Sequence, residues 1–281
     1  MRQGAFCCIR LGALLLETRR SRFPAQQLNK AAAVLAVSES FAALYREAGI
    51  EAARAMPNGL SPAFAAGLPP LPPRAGRVRV GHIAGWAYHK GIHLFQAALL
   101  QGQFANIEAV VIDHTREESY RLEVMWGSTP TTIRGKVRQE AVIALYGDID
   151  VLVAPSIWPE SYGLVSREAL QCGVWVVASA LGAIGEDIVE GENGFVIDVG
   201  TAEGLGVALQ AIDDDPQRFK ARPVHRAPAR YSSEQTDDLA TLYRQLATQP
   251  GASPQAQDEP RPRLAPSPRP LARRAMLEGH P

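Results

Sequence analysis

Two carboxylates with a fixed spacing, Glu160 and Glu168, are the residues whose types and positions first suggest chemistry. Glu160 lies in a loop after the apolar run Val151–Ala154, and Glu168 lies about a turn inside a predicted helix that begins near Gly163. A helix N-terminus offers unpaired N–H groups and the positive end of the helix dipole, which bind phosphate. A carboxylate beside it accepts hydrogen bonds from hydroxyl groups. The combination indicates a phosphorylated sugar, such as a nucleotide sugar, as the ligand.

Alternating strand and helix patterns surround these carboxylates. The apolar runs predict strands at Val78–Ile83, Ile107–Ile112, Thr131–Ile133, Asp150–Ala154, Val174–Ala178 and Phe195–Ile197. Helical spacing predicts helices between them, among them Ile92–Leu100, Glu140–Tyr146 and Ala202–Ile212. This alternation is typical of a parallel sheet with helices on both faces. The predicted fold is therefore α/β with a doubly wound, Rossmann-like parallel sheet, whose ligands lie outside the carboxyl ends of the strands.

Shorter elements flank this sheet. Before it, the pattern predicts a strand at Ala33–Val37, an N-cap at Ser38 and a helix over Glu39–Ala48, followed by a short strand before Pro57. Residues 61–76 are rich in Pro and Gly and are predicted to form a loop. After the sheet, a last helix is predicted from Ser233 to about Ala247, and the Pro- and Arg-rich residues 249–281 are predicted to be disordered.

The composition excludes some classes of function. The formal net charge of zero gives no electrostatic case for binding nucleic acid. The three cysteines form no CxxC pair and no metal-ligand spacing, which is typical of a reducing compartment. The apolar run Leu11–Leu16 is too short to span a bilayer and lacks a signal-peptide cleavage site. These features predict a cytoplasmic protein, with association at the inner face of the membrane left open.

Three separated motifs carry a resemblance to a known family: Gly85–Gly91, Glu160–Gly173 and Gly182–Phe195. In this order and spacing they resemble the donor-binding lobe of a family-4 retaining glycosyltransferase, the glycogen-synthase-like group built from two facing Rossmann-type lobes (the B-type fold). The resemblance extends over about residues 30–248, and it places the family's Glu-x7-Glu signature at Glu160 and Glu168.

The resemblance implies roles for individual residues. Glu160 contacts the transferred sugar beside the reacting carbon, and Lys90 places its ammonium group on the diphosphate; these two are the predicted catalytic residues. Glu168 accepts hydrogen bonds from the ribose. The backbone amides of Leu164 and Val165 bind the distal phosphate at the helix N-terminus.

Four further residues complete the predicted donor-binding set. Gly85 follows the first strand of the donor lobe, Gly163 begins the phosphate-binding helix, and Val137 presents its backbone to the base. Tyr162 flanks the sugar or only packs in the protein, and the sequence leaves both alternatives open.

The resemblance also implies the reaction and the division of the chain. Transfer of a hexose retains the anomeric configuration, the leaving phosphate assists the acceptor, and no metal or other cofactor is required. The partners are a nucleotide-sugar donor and a glycan, lipid or small-molecule acceptor of unknown identity. The expected divisions are a remnant of the acceptor lobe (1–57), an interlobe linker (58–76), the donor lobe (77–232), a closing helix (233–248) and the disordered tail (249–281).

The chain departs from the family pattern at two points. Trp86 stands near the position where the family carries an arginine that binds the diphosphate, and a short stub replaces the acceptor lobe. A truncated gene, a misplaced start codon and a separately encoded partner lobe each account for the stub. The alternative to a transferase is therefore an inactive nucleotide-sugar-binding lobe that needs a separate acceptor lobe. A Rossmann oxidoreductase is disfavoured, because Gly81–Gly85 lacks the Gly-x-Gly-x-x-Gly pattern.

Overall fold

Two sheets organise the described part of the chain, which comprises residues 24–66, 75–83, 85–223 and 229–248 of a computed structural model. The first 23 residues of the predicted acceptor-lobe remnant (1–57), residues 67–74 of the predicted loop at 61–76 and the predicted tail at 249–281 lie outside the described residues. Of the helices in the described ranges, none has the length and apolar character needed to cross a bilayer.

The smaller sheet belongs to an N-terminal β–α–β unit, named here the N-terminal unit. Strand β1 (Val34–Ala36) pairs in parallel with β2 (Ala53–Ala55), and helix α1 (Glu39–Glu47) connects them. The side chain of Ser38 accepts a hydrogen bond from the amide of Phe41, which confirms Ser38 as the N-cap of α1.

The larger sheet has seven strands in the order β5-β6-β4-β3-β7-β8-β9. Their bounds are β3 Val78–His82, β4 Ile107–Asp113, β5 Arg121–Trp126, β6 Thr129–Gly135, β7 Val151–Ala154, β8 Trp175–Ser179 and β9 Gly194–Ile197. The chain leaves β3 towards β4 on one side and leaves β7 towards β8 on the other, so the topological switch point lies between the central strands β3 and β7. Ligands of doubly wound sheets bind at this point, beyond the carboxyl ends of the strands.

Helices cover both faces of this sheet. They are α2 Ile92–Gln101, α3 Val142–Gly147, α4 Leu164–Gln171, α5 Glu203–Asp214 and α6 Pro216–Lys220, and a further helix, α7 Ser232–Thr248, follows in the chain. Apolar side chains of α2, α5 and α6 form a core with one face of the sheet, and those of α3 and α4 form a second core with the other face. Within β8, Val177 belongs to the first core and Val176 to the second, as the two-residue period of a strand requires. The predicted doubly wound α/β fold is confirmed.

Three local expectations were wrong. The predicted weak strand Thr131–Ile133 is confirmed as part of β6, but the segment before it forms β5, antiparallel to β6, where a helix was expected. The connection from β8 to β9 contains turns where a helix was expected, and α6 was not predicted. Part of the expected loop at 61–76 forms a 3-10 helix, Pro62–Ala66, because Phe64 is buried against Tyr146 with ring centroids 6.2 Å apart.

Candidate functional site

The turn between β7 and α4 ends in an open helix N-terminus. Gly163 precedes α4 in the left-handed conformation (φ 73°), and no side chain caps the helix. A Cβ at Gly163 would lie 2.6 Å from the Cα of Ile184, so this close approach requires glycine. Leu164 and Val165 form the first turn of α4, and their N–H groups have no partner within the helix. The position predicted for phosphate binding therefore offers free donors.

Glu160 and Lys90, which are 70 residues apart in sequence, meet at this turn. The Nζ atom of Lys90 donates to Oε1 of Glu160 over 2.6 Å, and the hydroxyl of Ser156 donates to the same oxygen over 2.7 Å. The amide of Ala183 donates to the carbonyl oxygen of Glu160 over 2.8 Å, which holds the loop against the segment after β8. The structure thus brings the two predicted catalytic residues together as a half-buried ion pair.

The loop that carries Lys90 is fixed against the loop that carries Glu160. Lys90 ends a 3-10 helix, Tyr88–Lys90, and a Cβ on Gly91 (φ 77°) would lie 1.9 Å from the carbonyl oxygen of Pro155. The Ile157 amide donates to the carbonyl oxygen of His89 over 3.0 Å, and the Ser156 hydroxyl, whose single proton is donated to Glu160, lies 3.0 Å from the same oxygen. These contacts join the ends of the two central strands β3 and β7.

Glu168 lies on the second turn of α4 and has a neutral partner. The hydroxyl of Tyr146 donates to Oε2 of Glu168 over 2.7 Å. Burial raises the pKa of the Glu168 carboxyl, and the hydrogen bond from Tyr146 opposes that shift. Burial also raises the pKa of Tyr146, and the nearby Glu168 charge adds to the shift, so Tyr146 remains a donor.

A cavity of about 220 Å³ opens beside the ion pair. It is lined by Ile83, Lys90, His114, Ala154, Ser156, Glu160, Val165 and Ile184. The cavity therefore lies at the switch point of the sheet and extends from the Lys90–Glu160 pair to the first turn of α4.

Gly85 lines a different, neighbouring cavity of about 670 Å³, together with Trp86 and Arg116. His114 lines both cavities and bonds through Nε2 to the carbonyl oxygen of Ile83 over 2.8 Å. Gly85 and Glu160 thus line two different cavities, which have His114 in common.

Val137 follows β6 in the loop that leads to α3. Its side chain packs against the core that contains Tyr146. Within the part of the chain that the structure describes, neither its N–H nor its carbonyl group forms a backbone hydrogen bond outside the regular elements. The role predicted for Val137, pairing of its backbone with the base, stays a prediction.

Tyr162 is not among the residues that line the cavity beside the Lys90–Glu160 pair. Its ring packs under the guanidinium of Arg167, with the Cζ atom 4.0 Å from the ring centroid, and its hydroxyl donates to the carbonyl oxygen of Asn58. Of the two roles left open for Tyr162, the packing role matches these contacts.

Sequence reasoning missed four residues of this region: Tyr146, Ser156, Arg167 and His114. Arg167 lies inside the Glu160–Gly173 motif and Ser156 four residues before it, so their proximity to the site was visible, but their partners were not. Tyr146 was assigned only to the apolar face of a helix. Its hydroxyl, the polar end of a mainly apolar side chain, was the available signal.

Among the described residues, no group of three or more His, Cys, Asp or Glu side chains is arranged to hold a metal ion. The expectation that no cofactor is needed stays a prediction.

The sequence was compared with models of known protein families. Residues 74–229, more than half of the chain, match the model described as glycosyl transferases group 1. The chain belongs to this family. The match spans the seven-stranded sheet and every predicted site residue.

Curated members of the family show what the chain is similar to. It is 37% identical over 118 residues to a D-inositol 3-phosphate glycosyltransferase of Corynebacterium urealyticum, covering 41% of this chain and 28% of the relative. It is 31% identical over 179 residues to a phosphatidyl-myo-inositol mannosyltransferase of Mycolicibacterium smegmatis, covering 62% of this chain and 46% of the relative. The chain thus spans about half or less of the length of these relatives.

Solved structures of glycosyltransferases share the fold. Sucrose-phosphate synthase from Thermosynechococcus elongatus aligns with a TM-score of 0.63 at 23% identity, covering 82% of this chain and 62% of that structure. HepE from Anabaena, in complex with UDP, aligns with a TM-score of 0.59 at 21% identity, covering 81% of this chain and 66% of that structure. At these identities the likeness establishes the fold.

Proposed function

We propose that this chain forms the donor-binding part of a retaining glycosyltransferase, which transfers a hexose from a nucleoside-diphosphate sugar to an acceptor hydroxyl. The observation that carries the proposal is the convergence of three features at one switch point. These are the Lys90–Glu160 pair, the uncapped N-terminus of α4 and the carboxylate of Glu168.

Each feature matches one part of such a donor. The free N–H groups of Leu164 and Val165 bind the distal phosphate, and the ammonium of Lys90 balances the charge of the diphosphate. Glu168 accepts hydrogen bonds from the ribose hydroxyls, and the backbone of Val137 pairs with the base. Glu160 then lies beside the sugar that is attached to the distal phosphate.

The proposed reaction exchanges one bond for another at the anomeric carbon. The bond to the diphosphate oxygen breaks with its electron pair, and the acceptor oxygen bonds to the same face of the sugar. The acceptor proton passes to the leaving phosphate. Lys90 stabilises the charge that develops on this phosphate, and Glu160 contacts the sugar beside the reacting carbon.

The related proteins support the donor class. HepE was solved with UDP and with UDP-glucose, and the curated relatives include glycogen synthase and mannosyltransferases. All of these names are consistent with a hexose donor. The base and the sugar of the donor that this chain binds are to be determined by experiment.

A second candidate function is a lobe that binds the nucleotide sugar without transferring it. One observation supports it: the chain covers 28% and 46% of the lengths of the two curated relatives described above. In this family, closure of two lobes around both substrates completes the site.

Calorimetry with a panel of nucleotide sugars tests the donor site. We expect one donor to bind, and Glu168→Ala to weaken it by about tenfold through loss of the ribose contacts. Failure of every nucleotide and nucleotide sugar to bind would remove the site assignment.

Hydrolysis or transfer assays separate the two candidate functions. A transferase releases free sugar or product whose anomeric configuration, measured by NMR, equals that of the donor. Binding without hydrolysis or transfer supports the binding lobe, and an inverted product contradicts the retaining mechanism.

A further inference from the structure

Arg167 is a nearly buried cation that the proposed chemistry does not use. It lies on α4 between Gly163 and Glu168, and its side chain is only 10% exposed. Its Nε atom lies 2.8 Å from a carboxylate oxygen of Asp187, and one terminal nitrogen lies 2.9 Å from Oε2 of Glu186. A guanidinium can make several hydrogen bonds in fixed directions, which an ammonium group cannot.

The remaining contacts of Arg167 reach the turn that precedes the phosphate site. Its other terminal nitrogen donates to the carbonyl oxygen of Tyr162 and, over 3.1 Å, to that of Ala183. Tyr162 immediately precedes Gly163, whose left-handed conformation opens the N-terminus of α4. Arg167 therefore holds the two segments that shape this turn, one at Tyr162 and the other at Ala183.

Glu186 connects the same cluster to the N-terminal unit. Its Oε1 atom accepts hydrogen bonds from the amide of Ser40, over 3.1 Å, and from the Ser40 hydroxyl. Ser40 lies in the first turn of α1, where the helix dipole favours a carboxylate. One carboxylate thus bridges the N-terminus of α1 and the guanidinium on α4.

A second path joins the turn to the segment that links the two sheets. The Tyr162 hydroxyl donates to the carbonyl oxygen of Asn58, and the neighbouring amide of Gly59 donates to Gln235 of α7 over 2.9 Å. The turn before Gly163 is therefore held from two directions by groups outside the large sheet.

We propose that Arg167 is a positioning residue that couples the placement of the N-terminal unit to the phosphate-binding turn. With Ser40, Glu186 and Arg167 in contact, the turn at Tyr162–Gly163 presents the N–H groups of α4 to the distal phosphate. When the unit moves away, Glu186 loses its contacts to α1 and the turn loosens. The inference rests on the proposed donor site and adds a regulation of that site.

The test compares a nucleoside diphosphate with its monophosphate. Wild type is first titrated with UDP, GDP, ADP and TDP, and the diphosphate that binds is used with its monophosphate. Because only the distal phosphate contacts the turn, Arg167→Met is expected to weaken the diphosphate by about tenfold and to change the monophosphate by less than about threefold. A merely structural role would weaken both ligands equally.

A charge placed at Ser40 tests the coupling itself. Ser40→Asp sets a like charge against Glu186 but suits the N-terminus of α1, so the unit is expected to stay folded. We expect it to lower the diphosphate preference by about threefold, in the same direction as Arg167→Met. Thr201→Asp adds a charge at the start of α5, where the Thr201 hydroxyl accepts from the amide of Glu203, and Arg121→Met removes an exposed arginine of β5; both are matched controls.

The possible failures are distinct. If wild type binds no nucleoside diphosphate, the proposed function fails together with the inference. If wild type binds but both variants keep its diphosphate preference, only the inference fails. Should Arg167→Met not fold, Arg167→Lys replaces it, because it keeps the charge without the fork of donors. We expect Arg167→Lys to show the same loss of diphosphate preference, and an unchanged preference would overturn the proposal.

Discussion

Glu160 and Glu168 belong to one motif but have opposite surroundings. Glu160 is paired with the cation of Lys90 and accepts a second hydrogen bond from Ser156. Glu168 is bonded to the neutral hydroxyl of Tyr146, and burial raises its pKa. The first carboxylate is therefore electrically compensated, and the second carries a desolvation cost that further hydrogen-bond donors, such as ribose hydroxyls, would offset. The comparison shows how one helix and its preceding loop provide two different kinds of acceptor.

The largest expected effect comes from breaking the close approach of Gly91 to Pro155, which holds Lys90 beside Glu160. In Gly91→Ala the new Cβ would meet the carbonyl oxygen of Pro155, and the left-handed backbone adds strain. We expect a loss of about 2–4 kcal/mol in the free energy of unfolding, measured by denaturant titration. Gly206→Ala is the control, because its Cβ meets nothing within 4 Å inside α5, and it should stabilise by about 0.5–1 kcal/mol. Equal effects of the two substitutions would contradict the described packing.

Removing the cation of the pair should have the next largest effect. Lys90→Met leaves Glu160 half-buried without its partner and removes the charge proposed to face the diphosphate. We expect affinity for the nucleoside diphosphate to fall by about 10–100-fold in calorimetry. An unchanged affinity would show that Lys90 serves Glu160 alone.

Removing the carboxylate of the same pair should act in the opposite direction on nucleotide binding. Glu160→Gln frees the ammonium of Lys90 for the diphosphate, so affinity for the nucleoside diphosphate should rise by about two- to fivefold. Sugar release from the donor should fall at the same time. A loss of nucleotide affinity as large as that of Lys90→Met would contradict the division of roles between the two carboxylates.

The smallest expected effect concerns the uncompensated carboxylate. Because burial raises the folded-state pKa of Glu168 above the ordinary value of 4.5, the folded protein binds the proton more readily than the unfolded chain. The destabilising contribution is therefore fully present above the raised pKa and is relieved as the pH falls through it. Glu168→Gln should raise Tm by about 1–2 °C at neutral pH and lose this advantage in acid.

The same carboxylate predicts an opposite trend for binding. Ionised Glu168 accepts bonds from the ribose, so nucleotide affinity should fall as the pH falls through its raised pKa. The part of the pH dependence that Glu168 causes should disappear in Glu168→Gln, and an unchanged dependence would assign the titration to another group, such as the terminal phosphate of the nucleotide.

The sequence predicted the regular parts of the fold because their signals are local. The apolar run Val151–Ala154, the Ser38 cap and the helix start at Gly163 each depend on a few neighbouring residues. Strand β5 was missed because it is an edge strand, and exposed Leu122 and Met125 give it no buried apolar run.

The partners within the site were less predictable. The Lys90–Glu160 pair joins loops 70 residues apart, and Glu186 meets Ser40 across 146 residues, so neither contact leaves a local pattern. The residue types and their order were recognisable by resemblance. The choice of partner depends on how the two central strands and the N-terminal unit pack, which only the structure provides.

The central claim is that one site binds a nucleoside diphosphate through two different groups, Lys90 at the diphosphate and Glu168 at the ribose. The most direct measurement is the affinity of wild type, Lys90→Met and Glu168→Gln for a nucleoside diphosphate and its monophosphate. We predict that Lys90→Met loses most of the affinity that the second phosphate adds, and that Glu168→Gln lowers the affinity for both ligands by the same factor. If both variants lower the affinities for the two ligands alike, or if neither lowers them, the assignment of Lys90 to the diphosphate and Glu168 to the ribose is contradicted.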